Sequence, residues 1–420
     1  MIASKLFISM SNSRFSTLAF SLGCSFLSLI FLARSGLAEE LPKLQSLDLF
    51  KLNGFISQGY IKTNKNNVFG HSNDSGSLDF REIGLTASLR PSPKLQLSGQ
   101  LLHRKAGEGS NGGIQIDFGF LDYNFINTPA AEIGVRLGRM KNPFGFYNDT
   151  RDVPFTRPSV LLPQSIYFDR TRNLALASDG MQVYGESRAD WGNITVQFGA
   201  VFPQVDGRDT EISVLRSLQR SGDLKTKLSY IGRILYEQAD GKLRLAVSGA
   251  QANVGYSPGH NDTLLNGSFR FSPLILSAQY NAERWSITSE YALRHLSWKD
   301  FGNDATFQQS FTGESFYLQG VYRFYPNWEA VLRYDLLFTN RKDRSGKKFS
   351  ASTGHLYPAH NHYAKDITVG LRWNITPAIM LSTEYHRING TAWLSPLDNP
   401  DMSHAGKNWN LFAVQVSYRF

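Results

Sequence analysis

The chain has 420 residues, with 44 Lys and Arg against 35 Asp and Glu, a formal charge of +9 and one cysteine. Its 41% hydrophobic content is too high for a disordered chain, and a single cysteine excludes a disulfide scaffold or a multi-cysteine metal site. The excess of basic residues is mild and interleaved with acids, which argues against a dedicated nucleic-acid arm.

The first forty residues place Lys5 and Arg14 ahead of an apolar run around Leu18 to Leu32, and then the small-residue end Gly36-Leu37-Ala38. This layout predicts a secretory signal peptide over residues 1–38, cleaved after Ala38. The unbroken apolar run is shorter than the ~20 residues that a spanning helix needs. Cys24 lies inside this leader. The predicted mature domain, residues 39–420, therefore has no cysteine and no disulfides to stabilise it in an oxidising compartment.

After the leader, apolar residues recur with a period of two. In REIGLTASLR, Ile83, Leu85, Ala87 and Leu89 share one face, opposite Glu82, Thr86, Ser88 and Arg90. The same alternation separates Ile194, Val196, Phe198, Ala200 and Phe202 from Thr195, Gln197 and Gly199. It separates Leu332, Tyr334 and Leu336 from Arg333 and Asp335, and Ile367, Val369 and Leu371 from Asp366, Thr368 and Arg372. Strands are predicted near 51–63, 79–90, 94–106, 113–126, 131–140, 179–188, 191–202 and 226–238. Eight more fall near 242–256, 266–281, 284–298, 313–325, 328–340, 363–375, 378–390 and 408–420. Helical periodicity is weak and confined to 210–224.

The joins alternate strictly between short turns, such as PSP, NTPA and ADG, and long loops, such as those near 64–76 and 341–362. A soluble sandwich has no reason to sort its loops by parity, whereas an outer-membrane barrel pairs short periplasmic turns with long outer loops. The expected fold is a transmembrane antiparallel β-barrel of about 16 strands. Tyr60, Trp191, Trp285, Trp298, Trp328, Trp373 and Tyr418 lie near strand ends and suit its interfacial aromatic girdles.

One connection departs from the rest. From Asn142 to about Ser178 the sequence is rich in Pro, Gly, Arg and Asp, and it carries no strand signal. A structureless segment this long is usually functional. At sixteen strands a barrel encloses an aqueous lumen, and a third outer loop folded into it would narrow it. The candidate constriction residues are Lys141, Arg151, Arg157, Arg170 and Arg172, facing Asp149, Asp152 and Asp169. Rings of charge of this kind select ions and orient polar solutes. Arg136, Arg244, Arg294, Arg333 and Arg372 fall on predicted inward faces and extend the basic lining, although Glu82, Asp117, Glu290, Asp335, Asp366 and Glu384 share those faces. The arginines can equally pin the loop to the wall. Phe144, Phe146, Tyr147, Tyr167 and Phe168 are expected to form the loop's own small core.

Farther on, His355, His360 and His362 cluster in an outer loop without a further converging ligand, so no metal is expected. RKDRSGKK (Arg341 to Lys348) suits lipopolysaccharide phosphates or solvent. There is no Walker loop, dinucleotide glycine pattern or nucleophile elbow, so neither a cofactor nor a catalytic set is nominated.

The last residues, NWNLFAVQVSYRF, alternate up to the final carboxylate and end on Tyr418 and Phe420. A final strand closing in Tyr-x-Phe resembles the signal by which bacterial outer-membrane barrels engage their assembly machinery. The run GRMKNPFGFYNDTRDVPFTRPSVLLPQSIYFDRT resembles the segment of bacterial porins, particularly those related to the phosphate-selective porins, in which a strand ends in G-R-x-K-x-P-F-G. That resemblance implies a homotrimeric outer-membrane channel with its third loop at the constriction, embedded in lipid and lipopolysaccharide. Phosphate selectivity does not carry over, because those relatives cluster lysines at the constriction and here Lys141 stands alone. Two functions fit: passive diffusion of small hydrophilic solutes and ions with a mild preference for anions, or a barrel whose outer loops bind a surface partner.

Overall fold

The computed structural model describes residues 49–217, 220–302 and 309–420; the predicted signal peptide lies outside the described residues. Sixteen strands follow one another. They are β1 (Phe50–Thr63), β2 (Ser77–Ser92), β3 (Leu95–Ala106), β4 (Asn111–Asn127), β5 (Ala131–Lys141), β6 (Ala177–Ala189), β7 (Gly192–Pro203) and β8 (Asp223–Gln238). After them come β9 (Leu243–Ser257), β10 (Gly267–Asn281), β11 (Trp285–Lys299), β12 (Ser310–Tyr325), β13 (Trp328–Phe338), β14 (Tyr363–Asn374), β15 (Ile379–Gly390) and β16 (Asn408–Arg419). Each pairs antiparallel with its neighbours in sequence, and β1 also pairs with β16, so the sheet closes on itself. Closure removes every sheet edge, which a sheet in hydrocarbon requires because no water is there to satisfy an unpaired backbone group.

Alternation in the strands becomes an inside-out distribution of polarity. On β14, Ile367 and Val369 are 49% and 54% exposed, whereas Asp366 and Thr368 between them are 3% and 0% exposed. Glu82, Glu290, Arg333 and Glu384 are likewise buried, while Leu85, Phe198, Leu332 and Val416 are exposed. In water this would strand a belt of apolar surface; against lipid the belt is the solvated face, and the charges turn inward.

The strand boundaries lie within about three residues of those expected from the period-two pattern. The expected helix is present but shorter, Arg208–Leu215, because β8 takes the chain from Asp223. Loop length does not alternate strictly: the β3–β4 join is only Gly107–Ser110, and it folds onto other loops instead of projecting. Trp298 is not a girdle residue. Even-numbered positions of β11 face inward, so its ring packs at 4.8 Å from Phe269 and 5.5 Å from Phe311, and its indole N–H donates to Val214 O at 2.8 Å. Trp328 and Trp373, by contrast, stack at 4.9 Å on adjacent outward positions of β13 and β14.

Candidate permeation site

The residues that start the long segment 142–176 show how it leaves the wall. Gly138 adopts φ +129° opposite Phe120, with no room for a side chain against the β4 backbone. Arg139 forms a fork with Asp179 at 2.7 and 3.0 Å and donates to the Ile116 carbonyl at 3.1 Å. That carbonyl lies above the last β4–β5 pair, Gly119 with Arg139, where the two strands part. A bulge in β4 adds Asp117 between two register positions and turns its carboxylate to Lys141 Nζ at 2.5 Å. Lys141 also reaches Asp152 at 2.6 Å. Gly145, at φ +54°, donates its N–H to Ser248 Oγ at 2.9 Å and accepts from Arg233 at 3.1 Å.

Beyond this point the segment bonds to inward-facing residues around much of the wall. The Phe146 N–H and the Tyr167 hydroxyl donate to Glu290 at 3.0 and 2.6 Å, and the Tyr317 hydroxyl donates to the same carboxylate at 2.8 Å. Leu161 N–H donates to Glu384 at 2.9 Å and Ser165 N–H to Asp335 at 3.2 Å. Buried carboxylates collect several donors here because an unpaired one would cost several kcal/mol. The aromatics anchor the segment, but not as a core of its own: Phe144 and Tyr167 are buried with Leu162 and Ile166 against the wall residues Ile275 and Tyr317, and Tyr147 meets Tyr167 edge-on at 5.7 Å, while Phe168 packs on Phe271 and Phe146 lies under Arg244.

The candidate charges fall into two groups. Most are paired. Asp149 binds Arg233 at 2.7 Å. Arg151 donates to the Tyr167 carbonyl at 2.8 Å and approaches Asp169 at 3.4 Å. Asp152 takes Lys141 and Arg172 together. Arg157 reaches Glu82 at 2.7 Å and Gln415 at 3.2 Å, and Asp169 accepts from Arg104 at 2.8 Å. Among the wall arginines, Arg333 donates to Ser159 Oγ and the Leu161 carbonyl at 2.9 and 3.1 Å, and Arg372 donates to the Arg157 and Phe155 carbonyls, each at 3.3 Å. Arg136 binds Asp122 at 2.9 Å, and Arg244 binds Glu237 at 2.7 Å. The second group is Arg170 and Arg294. Arg294 has Phe168 under its guanidinium at 5.5 Å, and the Nε of each is buried with no hydrogen-bond partner among the described residues.

Burial alone would raise the Asp152 and Asp169 carboxyls. The neighbouring cations outweigh it (Arg172 and Lys141 on Asp152, Arg104 and Arg151 on Asp169) and hold both below the usual carboxylate range. Burial, with Arg172 close by, lowers Arg151 to about 10, and burial lowers Arg170 against the pull of Asp209. Tyr167 is pushed well above its ordinary value by burial and by Glu290. These shifts describe a charge network in which each ionised partner depends on the other.

Arg104, Arg233 and Trp393 belong to this region and were not nominated from sequence. The inward parity of Arg104 on β3, shared with Gln100 and Leu102, is the signal that would have found it. The loop histidines do not converge: His360 meets the Ala405 carbonyl, while His362 bonds Thr339 and stacks on Phe349. At the chain's end, Phe420 and Gly54 exchange two backbone hydrogen bonds of 3.0 Å, and the Tyr418 and Phe420 rings are exposed.

No protein-family model and no curated protein matches the chain. Among solved structures it is similar to the anion-selective porin from Comamonas acidovorans (TM-score 0.56, 14% identity, covering 88% of this chain and 99% of that one). It is also similar to the outer membrane channel DcaP of Acinetobacter baumannii (0.55, 11%, 88% and 97%) and to Pseudomonas putida OprB in its high-pH structure (0.53, 10%, 89% and 94%). At such identities the likeness is one of fold, the sixteen-strand barrel of outer-membrane porins, and it does not single out the phosphate-selective relatives.

Proposed function

We propose that this chain is an outer-membrane porin: a passive channel for small hydrophilic solutes and ions, with a mild preference for anions. The observation that carries the reading is the closed barrel whose charged faces turn inward and apolar faces outward. Segment 142–176 forms the constriction, because its backbone and side chains bond to inward residues from β2 to β16. Export by a cleaved leader, assembly through Tyr418 and Phe420, a homotrimer and contact with lipopolysaccharide complete the proposal. A relationship to the phosphate-selective porins rests on Gly138 to Gly145. Phosphate selectivity is not part of it, since Lys141 is committed to Asp117 and Asp152.

The second reading, a barrel whose outer loops bind a surface partner, draws on the way those loops are tied together. Asp398 accepts from the Gly70 and Glu108 N–H groups at 3.2 and 3.0 Å, and Asp209 accepts from Ser395 Oγ at 2.6 Å. Swelling of proteoliposomes separates the two. The channel reading expects swelling in arabinose, at a rate that falls steeply for larger sugars such as raffinose. Folded protein that gives no swelling with any solute favours the binding reading.

A further inference from the structure

A cavity of about 430 Å³ lies among the outer loops, bounded by Val68 and Phe69, the β3–β4 join, the second half of segment 142–176, the helix Arg208–Leu215 and residues 393–398. Its volume is in the range of small-molecule sites. Two features of its lining call for a ligand. The first is a pair of donors without acceptors: Arg170 Nε and Trp393 Nε1 are buried and have no hydrogen-bond partner among the described residues, whereas Arg104 Nε lies 3.5 Å from Glu82. Buried donors in native proteins are nearly always satisfied, so two on residues of one cavity point to an acceptor-bearing solute. The second is the pattern of charge. Arg172 is spent on Asp152, and the far end of Arg104 on Asp169. Arg208 is exposed at the rim. That leaves Arg170, half-buried and under the pull of Asp209, as the inner cation of the lining with no ion pair among the described residues. Glu108, Asp209 and Asp398 line the same space and would repel a second negative charge.

We propose that this cavity is a binding station for a small hydroxylated monocarboxylate. Its carboxylate sits on Arg170, and its hydroxyls lie between the Trp393 indole N–H and the acceptors Asp209 and Glu108. A hydroxyl both accepts and donates, so it suits a wall that mixes an unpaired indole donor with carboxylates. Leu161, Leu394 and Phe69 supply an apolar side for the carbon chain. The proposal names the solute class of the channel and rests on that reading for its biological meaning, but its chemistry is tested separately.

The test is calorimetric titration of the full-length, detergent-folded protein with sodium gluconate, glucose, hexanoate and inorganic phosphate, with single-channel conductance in KCl recorded on the same preparation. Gluconate is expected to bind more tightly than the other three. Arg170→Gln should weaken it about 10- to 100-fold, as for loss of a hydrogen bond to a charged group. Trp393→Phe, which keeps the ring and removes the N–H, should weaken it several-fold and serves alone if Arg170→Gln fails to give the barrel's circular-dichroism spectrum. The station is overturned if wild-type protein does not bind gluconate, if glucose or phosphate binds as well, or if a folded variant binds unchanged. Conductance without gluconate binding overturns the station and leaves the channel; gluconate binding without conductance does the reverse.

Discussion

The wall and segment 142–176 use the same residue types under different rules. On β14 a charge faces inward because its neighbour in sequence is apolar, and the decision is local. In segment 142–176 a charge faces wherever its partner stands: Arg157 meets Glu82, 75 positions away in the chain, and Leu161 meets Glu384, 223 positions away. The wall is specified by period and the segment by pairing, so the two should fail differently when altered.

The largest effect is expected in the segment. Arg157→Leu leaves Glu82 buried with Arg104 Nε, at 3.5 Å, as its one remaining cation among the described residues, and removing one partner of a buried pair costs about 3–5 kcal/mol. The segment should undock while the barrel persists, seen as proteolytic cleavage between 142 and 176 and as a larger single-channel conductance. An unchanged cleavage pattern would contradict the pairing rule. Next comes the wall: Val369→Arg puts a charge on the lipid face near mid-strand, at a cost of about 2–4 kcal/mol. The cost should appear as a lower urea midpoint in lipid vesicles, without selective cleavage of the segment.

Acid should act on the segment before the wall. Asp152 and Asp169 have folded pKa values below their unfolded ones, so their stabilisation is present above the ordinary carboxylate value of 3.8 and is lost as pH falls through the folded values. Conductance noise and cleavage of the segment should both rise below about pH 4, with the strand circular-dichroism signal retained; parallel loss of both would contradict this. Asp209 has the opposite sign. Burial raises it to about 6; Ser395 and Arg170 oppose the rise, and Asp398 and Asp169 add to it. Protonated in the folded state over 3.8 to about 6, it loses stabilisation as pH rises through that window. Gluconate affinity should therefore increase modestly from pH 7 to pH 5. The smallest effect is expected for Phe420→Ala, whose ring is 57% exposed. The folded barrel should keep its urea midpoint while the yield of assembled protein in cells falls.

The wall was legible because alternation is written in consecutive residues. The expected strand at 363–375 is Tyr363–Asn374, and the others fit comparably. Trp298 shows that rule in the breach. Its parity matches Glu290 and Arg294, so it belonged inside, yet position near a strand end suggested a girdle. The segment's existence was legible from its lack of any strand signal, and the anchoring role of Phe144 and Tyr167 from the density of Phe and Tyr, but not that they would pack on the wall or that Phe168 would join a separate cluster. Its pairings were not, because nothing local tells Arg157 that Glu82 exists. The cavity was least legible. Its residues come from five separate connections, and Trp393 has no feature in sequence that separates it from a packing tryptophan.

The central claim is that a polar lumen conducts past an arginine-bearing segment. Single-channel recording in a planar bilayer, with the reversal potential measured under a KCl gradient, tests it most directly. Stepwise conductance with a reversal potential leaning toward chloride is the predicted result. A reversal leaning toward potassium would contradict the assignment of the basic residues, and folded protein that gives no conductance would contradict the channel itself.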